Sequence, residues 1–299
     1  METDRMDEKF ANGVAREAMG EVAWPTIALA AGAFLAYAGV FAGYLAGLVP
    51  LWAATLSIAL ALYASYTVLH EAVHGSIGGT NRRMKWVNEA LGYVSGQLIG
   101  TPFIAHRKEH FAHHNHTNHT GRDPDLKLAG GSIRRVIVGT FRALPDQVVY
   151  FIENNWQHAS RKDRAILITE TVVGLGWRIA FGMYLGWTAA IALLVVANLT
   201  GIFVTLVFFA WLVHWPHRIT GRYRDTGTFV FSGTLDTVIS WLWLWLFQNY
   251  HSIHHLFPRV PFYRYRQVFR QIEPVMQRNG SPIQRFGAAH APGAAPAAR

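Results

Sequence analysis

Residues 107–118 read Arg107-Lys-Glu-His-Phe-Ala-His-His-Asn-His-Thr-Asn118. Three of these histidines are three or four positions apart, and side chains with that separation are neighbours on one face of a helix. Residues 70–74 and 251–255 repeat the pattern. The eight histidines with helical spacing are His70, His74, His110, His113, His114, His251, His254 and His255.

Clustered histidines of this kind predict a metal centre, because imidazole is the commonest protein ligand for transition metals. A zinc ion takes four ligands, so eight imidazoles indicate two metal ions side by side. Nitrogen ligands suit iron, copper, zinc or nickel. Paired irons bind and cleave O2, which zinc does not, and the apolar setting of the clusters favours such an oxidant.

The composition predicts a membrane protein, since 51% of the residues are hydrophobic and 15% are charged. Residues 22–70 and 179–217 contain no charged side chain, and each stretch is long enough for two helical crossings of about 20 residues. We therefore expect an all-α integral membrane protein in which a cytoplasmic helical cap holds a di-iron site. The predicted transmembrane helices cover residues 23–43, 49–70, 178–197 and 199–216.

The distribution of the net charge of +9 predicts the orientation. The connections at residues 43–50 and 198–201 contain no Lys or Arg, whereas basic residues flank the apolar stretches. The positive-inside rule then places both termini and the active site in the cytoplasm, for a multi-pass protein of the inner or plasma membrane. Basic residues beside membrane spans are explained by anionic headgroups, so we expect no nucleic-acid partner.

We expect three segments along the chain: a polar N-terminal segment (residues 1–21), a membrane domain (22–279) and a disordered low-complexity tail (280–299). Residues 86–104 are too polar for a confident crossing and predict a re-entrant or interfacial helix. The chain contains no cysteine, which excludes a Cys-ligated iron–sulfur cluster on it. A redox enzyme of this composition must take electrons from another protein.

At the clusters the sequence resembles the membrane fatty acid desaturase superfamily, whose members carry three histidine boxes. The resemblance covers roughly residues 45–270, and it lies in His70-Glu-Ala-Val-His74-Gly, in 107–118 followed by Asp123-Pro-Asp, and in Asn249-Tyr-His-Ser-Ile-His-His-Leu-Phe-Pro258. It implies that the eight histidines bind two Fe2+ ions that react with O2. It also implies a ferredoxin or a cytochrome b5-type protein as electron donor.

Members of this superfamily often carry one further histidine after the fourth span. Trp211-Leu-Val-His214-Trp-Pro-His217 offers two candidates, of which we favour His217 and keep His214 as the alternative. His106, His116 and His119 lie off the ligand spacing and are expected behind the ligands or in solvent. Asp123 and Glu71 are expected to accept hydrogen bonds from ligand imidazoles, although Glu71 has headgroup contact as an alternative.

The substrate class follows from weaker signals. Residues 216–226 and 255–265 resemble the corresponding parts of carotenoid β-ring hydroxylases and ketolases, which favours oxygenation of a carotenoid β-ionone ring. The alternative is desaturation or hydroxylation of a fatty acyl chain. An alternative of another class is a non-redox zinc membrane protein, such as a receptor or transporter.

Overall fold

The structure is a computed structural model that describes residues 2–128, 132–214, 219–241 and 245–287. Over these ranges the chain is mostly helical, with one pair of short parallel strands. The α-helices are α1 (Glu2–Met19), α2 (Trp24–Leu45), α3 (Leu51–His74), α4 (Lys85–Ile99), α5 (Phe103–His116), α6 (Ile133–Asn154), α7 (Arg161–Leu185), α8 (Trp187–Ala190), α9 (Ala197–Thr205), α10 (Gly233–Trp241), α11 (His251–Leu256) and α12 (Tyr265–Arg278). The strands are β1 (Thr228–Phe231) and β2 (Ile283–Phe286).

Within the described residues, four helices are long and apolar enough to cross a membrane. They are α2, α3, α7 and a continuous fourth helix, Trp187–Trp211, in which π-helical turns follow α8 and α9. Large apolar side chains such as Leu35, Trp52 and Met183 are about three-quarters exposed on these helices. Exposed apolar side chains of this kind are stable in contact with lipid, so the chain is a membrane protein.

The number of spans agrees with the prediction, but the last two were placed wrongly. Instead of residues 178–197 and 199–216, the structure has Arg161–Leu185 and Trp187–Trp211, and the chain turns at Gly186, whose φ is 79°. The uncharged stretch of the sequence begins only after Arg178, whereas α7 begins at Arg161 and carries Glu170 and Arg178 in its membrane-spanning part.

Glu170 and Arg178 form hydrogen bonds with a helical hairpin that consists of α4 and α5. The Glu170 carboxylate accepts from the backbone N–H groups of Phe103 (2.8 Å) and Ile104 (3.3 Å) at the start of α5. The Arg178 guanidinium donates to the carbonyls of Gln97 (2.7 Å) and Leu98 (2.8 Å) at the end of α4. Each charge thus lies at the helix end whose dipole favours it, and backbone groups without helical partners are bonded.

The hairpin packs closely along its length, since Gly92 of α4 lies against the ring of Phe103 of α5. A Cβ at Gly92 would lie 2.3 Å from the Phe103 ring. The Asn198 amide of the fourth helix donates to the Ile99 carbonyl (2.6 Å) at the turn. The segment 86–104 therefore enters among the spans and returns, as a re-entrant segment does, and α5 carries its histidines back to the ends of α3 and the fourth helix.

Close packing also joins α3 to the fourth helix. Gly201 lies where a Cβ would come within 3.1 Å of the Ala59 carbonyl, so small residues let the two backbones approach. Helix α6 lies beside α5 and α9 and leaves an apolar face exposed, including Ile137 (48%) and Phe141 (65%). An exposed face of this kind is typical of a helix in the membrane interface.

The two ends of the described chain pack together. Ala11 and Ala15 of α1 lie in one buried cluster with Phe269 and Ile272 of α12, and Arg278 forms an ion pair with Asp7 (2.6 Å). The prediction of a disordered tail after residue 280 is wrong for its first part. Ile283–Phe286 pairs with Thr228–Phe231, so backbone hydrogen bonds order a segment whose side chains are only partly buried. The rest of the tail, residues 288–299, lies outside the described residues.

Candidate metal centre

The eight histidines with helical spacing lie close together in the structure. His70 and His74 are in the last turn of α3, the second cluster is in the last two turns of α5, and the third forms most of the short helix α11. Helical spacing turns each cluster to one face, and the three faces meet. Ring centroids from different clusters are as close as 4.2 Å (His70 to His254) and 4.4 Å (His114 to His255).

A first group of imidazoles comes from all three clusters. One ring nitrogen from each lies within 4.8 Å of the others in the set His70, His74, His110 and His254. The Nε2 atom of His114 lies 3.0 Å from Nε2 of His110 and 2.8 Å from Nε2 of His254. Three ring nitrogens that converge in this way cannot all be paired by hydrogen bonds to one another, whereas three ligands of one metal ion have such spacing.

A second group joins His214 to the boxes. Ring nitrogens of His113, His214 and His255 lie within 4.8 Å of one another. The ring of His251 lies between the two groups, with its centroid 5.5 Å from that of His214 and 5.1 Å from that of His254. His214 was kept only as the alternative ninth ligand, and the structure brings it to the site. The favoured candidate, His217, lies outside the described residues.

Several ring nitrogens of these groups lack hydrogen-bond partners among the described residues. Both nitrogens of His70 and Nε2 of His74 and His255 are buried without a partner there, and so is Nδ1 of His214. Burial lowers the pKa values of His110, His114 and His254 well below the usual range, and it lowers the pKa of His214 to about 3. These imidazoles are therefore neutral at pH 7, which is the form that binds a metal. A set of buried, neutral and unpartnered imidazoles fits a pair of transition-metal ions.

Asp123 holds His113 directly. Its Oδ1 atom lies 2.8 Å from Nδ1 of His113, and its Oδ2 atom accepts from the backbone N–H of Asn118 (2.7 Å). Burial opposes protonation of His113, but this hydrogen bond and the charges of Asp125 and Asp123 outweigh it, so the pKa of His113 is raised. With Nδ1–H directed at the carboxylate, Nε2 of His113 is free for a metal. Asp123 thus contacts the imidazole of His113, one of the predicted metal ligands.

Glu71 does not face headgroups and does not contact an imidazole in the way predicted. It is 1% exposed and accepts from the Ser76 hydroxyl (2.9 Å) and from the backbone N–H of Phe262 (3.2 Å). Its Oε1 atom lies 3.5 Å from the hydroxyl of Tyr265, and that hydroxyl lies 3.0 Å from Nδ1 of His254. The Glu71 carboxylate therefore reaches the site through Tyr265.

Two further positioning residues were missed in the sequence. The Gln248 side-chain oxygen lies 2.7 Å from Nδ1 of His251, and the Thr117 hydroxyl lies 3.3 Å from Nδ1 of His255. Gln248 precedes His251 by three positions and Thr117 follows His113 by four. That spacing was a usable signal for Gln248, whereas the contact between Thr117 and His255 joins distant parts of the chain and has no sequence signal.

The histidines off the ligand spacing separate into two kinds. His116 is the last residue of α5, and its ring contacts that of His119 in the turn that follows. His158 is exposed. His106 is different, because it is 4% exposed and burial lowers its pKa to about 4. Its ring lies 5.6 Å from that of His110, on the side away from the second group.

A cavity leads from the imidazoles into the helices. It encloses about 1010 Å³ of space between atoms, its open mouth included. Its apolar wall comes from α3, α6 and the fourth helix and includes Leu62, Leu144, Ile202, Leu206 and Phe209. Its end at the metal centre is lined by His70, His106, Glu109, His110, His113 and His251.

The arrangement of histidines and spans has a counterpart among known proteins. The sequence profile of the fatty acid desaturase family matches residues 46–287, which include all three clusters and every span among the described residues except α2. The chain belongs to the fatty acid desaturase family.

Individual relatives of this family member are distant. The probable fatty acid desaturase DES1 of Sorghum bicolor is 23% identical over 75% of this chain and 64% of that protein. The sphingolipid delta(4)-desaturase DES1 of Drosophila melanogaster is 26% identical over 68% of this chain and 60% of its own length. A beta-carotene ketolase of a Paracoccus species is 27% identical over 67% of this chain and 71% of its own length. The chain thus covers less than two thirds of the two desaturases.

Proposed function

We propose that this chain is an O2-dependent di-iron membrane oxidoreductase that oxidises C–H bonds of a lipid. The observation that carries the proposal is the position of the two imidazole groups at the inner end of an apolar cavity. A metal centre in that position meets a lipid chain or ring at its reacting carbon, while the helices keep bulk water away.

The proposed metal ligands are the eight box histidines and His214, with His217 as a further candidate. Two irons held there would supply the reduction of O2 that C–H oxidation requires. Hydroxylation of one C–H bond uses one O2, two electrons and two protons, and the second oxygen atom leaves as water. Because the chain has no cysteine, it has no Cys-ligated iron–sulfur cluster, and the electrons in this proposal come from a separate donor such as a ferredoxin or a cytochrome b5-type protein.

The side chains around the ligands have defined tasks in this proposal. Asp123 keeps the Nδ1 proton of His113 in place, and Gln248 does the same for His251, so that both rings present Nε2 to the metal. Phe209 packs edge-on against the ring of His70 (5.4 Å) and closes the apolar wall beside it. The wall then holds a hydrophobic substrate next to His70 and His110.

We favour a carotenoid β-ionone ring as substrate and hydroxylation or ketolation as the reaction. Support comes from the segments 216–226 and 255–265, which resemble β-ring oxygenases, and from the Paracoccus ketolase among the relatives. A ketone forms when two hydroxylations at one carbon are followed by loss of water. The second candidate, desaturation of an acyl or sphingoid chain, is favoured by the Sorghum and Drosophila relatives.

Expression in bacteria that accumulate β-carotene tests this proposal, with pigments and membrane fatty acids analysed from the same culture. A new oxygenated carotenoid supports ring oxygenation, and a new double bond in a lipid supports the second candidate. Cells that express His113→Ala serve as the inactive control. The proposal fails if folded, membrane-inserted protein changes neither the carotenoids nor the membrane fatty acids when a reductase and an electron donor are co-expressed.

The proposed orientation places both termini and the metal centre in the cytoplasm, because the basic residues flank the ends of the spans on that side of the membrane. A phosphatase fused to either terminus should be inactive in the bacterial periplasm assay, and a fluorescent protein fused there should fluoresce. The reverse result would place the site on the other side of the membrane.

A further inference from the structure

One part of the cavity is polar although its substrate is proposed to be a lipid. His106 and Glu109, three positions apart on α5, both line the cavity and are 4% and 7% exposed. Among the described residues, Nε2 of His106 is buried without a hydrogen-bond partner, and Glu109 lines the same cavity. Buried polar groups in native proteins are nearly always hydrogen-bonded, so an unpaired ring nitrogen in a cavity calls for a ligand.

The hydrogen bonds behind His106 define which of its nitrogens carries the proton. The Thr101 hydroxyl donates to the Gln147 side-chain oxygen, which turns the Gln147 amide N–H₂ toward Nδ1 of His106 (3.1 Å). Nδ1 therefore accepts, and the proton of the neutral ring is on Nε2. At the end of the cavity beside the imidazoles, these two residues then offer a donor, the His106 Nε2–H, and an acceptor, a carboxyl oxygen of Glu109.

A hydroxyl group matches this pair, because it accepts from an N–H and donates to a carboxyl oxygen through the same oxygen atom. His106 lies one helical turn, about 5.4 Å, before the candidate ligand His110, and Glu109 directly precedes it. A hydroxyl bound there lies within a few bonds of a carbon that reaches the metal centre. Unsubstituted rings and plain alkyl chains offer no hydrogen bond to either group.

We infer that His106 and Glu109 form a subsite for a substrate hydroxyl group, so that the enzyme selects lipids that already carry a hydroxyl near the carbon to be oxidised. The inference rests on the proposed function and names its substrate class. Two sources have this chemistry, a hydroxylated β-ring and a long-chain base with its hydroxyl groups near the head. A site built to hydrogen-bond a substrate hydroxyl discriminates strongly against the analogue that lacks it.

Two matched substrate pairs test the inference. Purified chain in lipid nanodiscs is offered β-carotene against zeaxanthin, and a plain acyl lipid against dihydroceramide, with reductant and donor present. For the pair that is oxidised, kcat/KM for the hydroxyl-bearing member should be at least about 10-fold higher. Binding without O2, followed by quenching of tryptophan fluorescence, should show the same order of dissociation constants.

His106→Phe and Glu109→Leu should bring the preference close to parity, mainly by raising KM and the dissociation constant for the hydroxyl-bearing member. The conservative variants His106→Gln and Glu109→Gln keep a donor or an acceptor and should retain part of the preference. His116→Phe, the same change on the same helix away from the cavity, should leave it unaltered. Iron content is measured in every variant. Where His106→Phe or Glu109→Leu prevents folding, the preference of the conservative variants tests the inference.

The results separate this inference from the proposed function. Failure of the wild type to oxidise any of the four lipids overturns the proposed function. Oxidation without preference in the wild type, or variants that slow both members of a pair equally, overturns the hydroxyl subsite and assigns His106 and Glu109 to a step common to all substrates.

Discussion

The two imidazole groups differ in how carboxylates reach them. In the second group, Asp123 touches His113 directly at 2.8 Å, and Asp225 lies 3.9 Å from Nδ1 of His255. In the first group, the Glu71 carboxylate reaches His254 through the hydroxyl of Tyr265. A negative charge in contact stabilises a metal-bound imidazole more than a neutral hydroxyl does. We therefore expect the second group to bind its metal ion more tightly than the first group does.

Removing a ligand from either group has the largest expected effect. His254→Ala and His113→Ala should each abolish activity, and each should lower the iron content of the purified chain. His158→Ala, which removes an exposed histidine, should change neither quantity. Full activity with unchanged iron in both ligand variants would show that the groups are not the metal centre.

Asp123→Asn tests the direct contact in the second group. The amide keeps the size of the side chain but loses its charge, so metal affinity or activity should fall about 10- to 100-fold. Iron retention during titration with a chelator measures the effect, and Glu153→Gln, on an exposed part of α6, is the control. A variant that holds both irons as tightly as the wild type would remove the asymmetry between the groups.

Tyr265→Phe tests the indirect contact in the first group and should have the smallest effect. The change removes one hydrogen bond to His254 from a neutral hydroxyl, and such bonds contribute about 0.5–1.5 kcal/mol, or roughly 2- to 10-fold in affinity. The same chelator titration measures it, with the exposed Tyr184→Phe as control. A loss larger than that of Asp123→Asn would reverse the comparison.

These contacts also explain which parts of the site the sequence predicts. The box histidines could be found because three- and four-residue spacing on a helix is local. Asp123 could be found because a turn joins it to the second cluster, ten positions after His113. Tyr265 could not, since only the packing of α12 against α11 brings its hydroxyl to His254.

The membrane spans show the same difference between features with a local sequence signal and features that depend on distant contacts. The first two spans could be read from their apolar composition, and their observed ends differ by a few residues. The third could not, because the contacts that Glu170 and Arg178 make with other helices have no local signal in the sequence. Their partners are the helix ends of α4 and α5, which lie more than 60 residues earlier in the chain.

The metal content of the purified chain tests the central claim most directly. Elemental analysis of the full chain, purified from cells supplied with iron and zinc, should find about two irons per chain and little zinc. One zinc per chain with no iron would contradict the di-iron assignment and favour a non-redox zinc membrane protein.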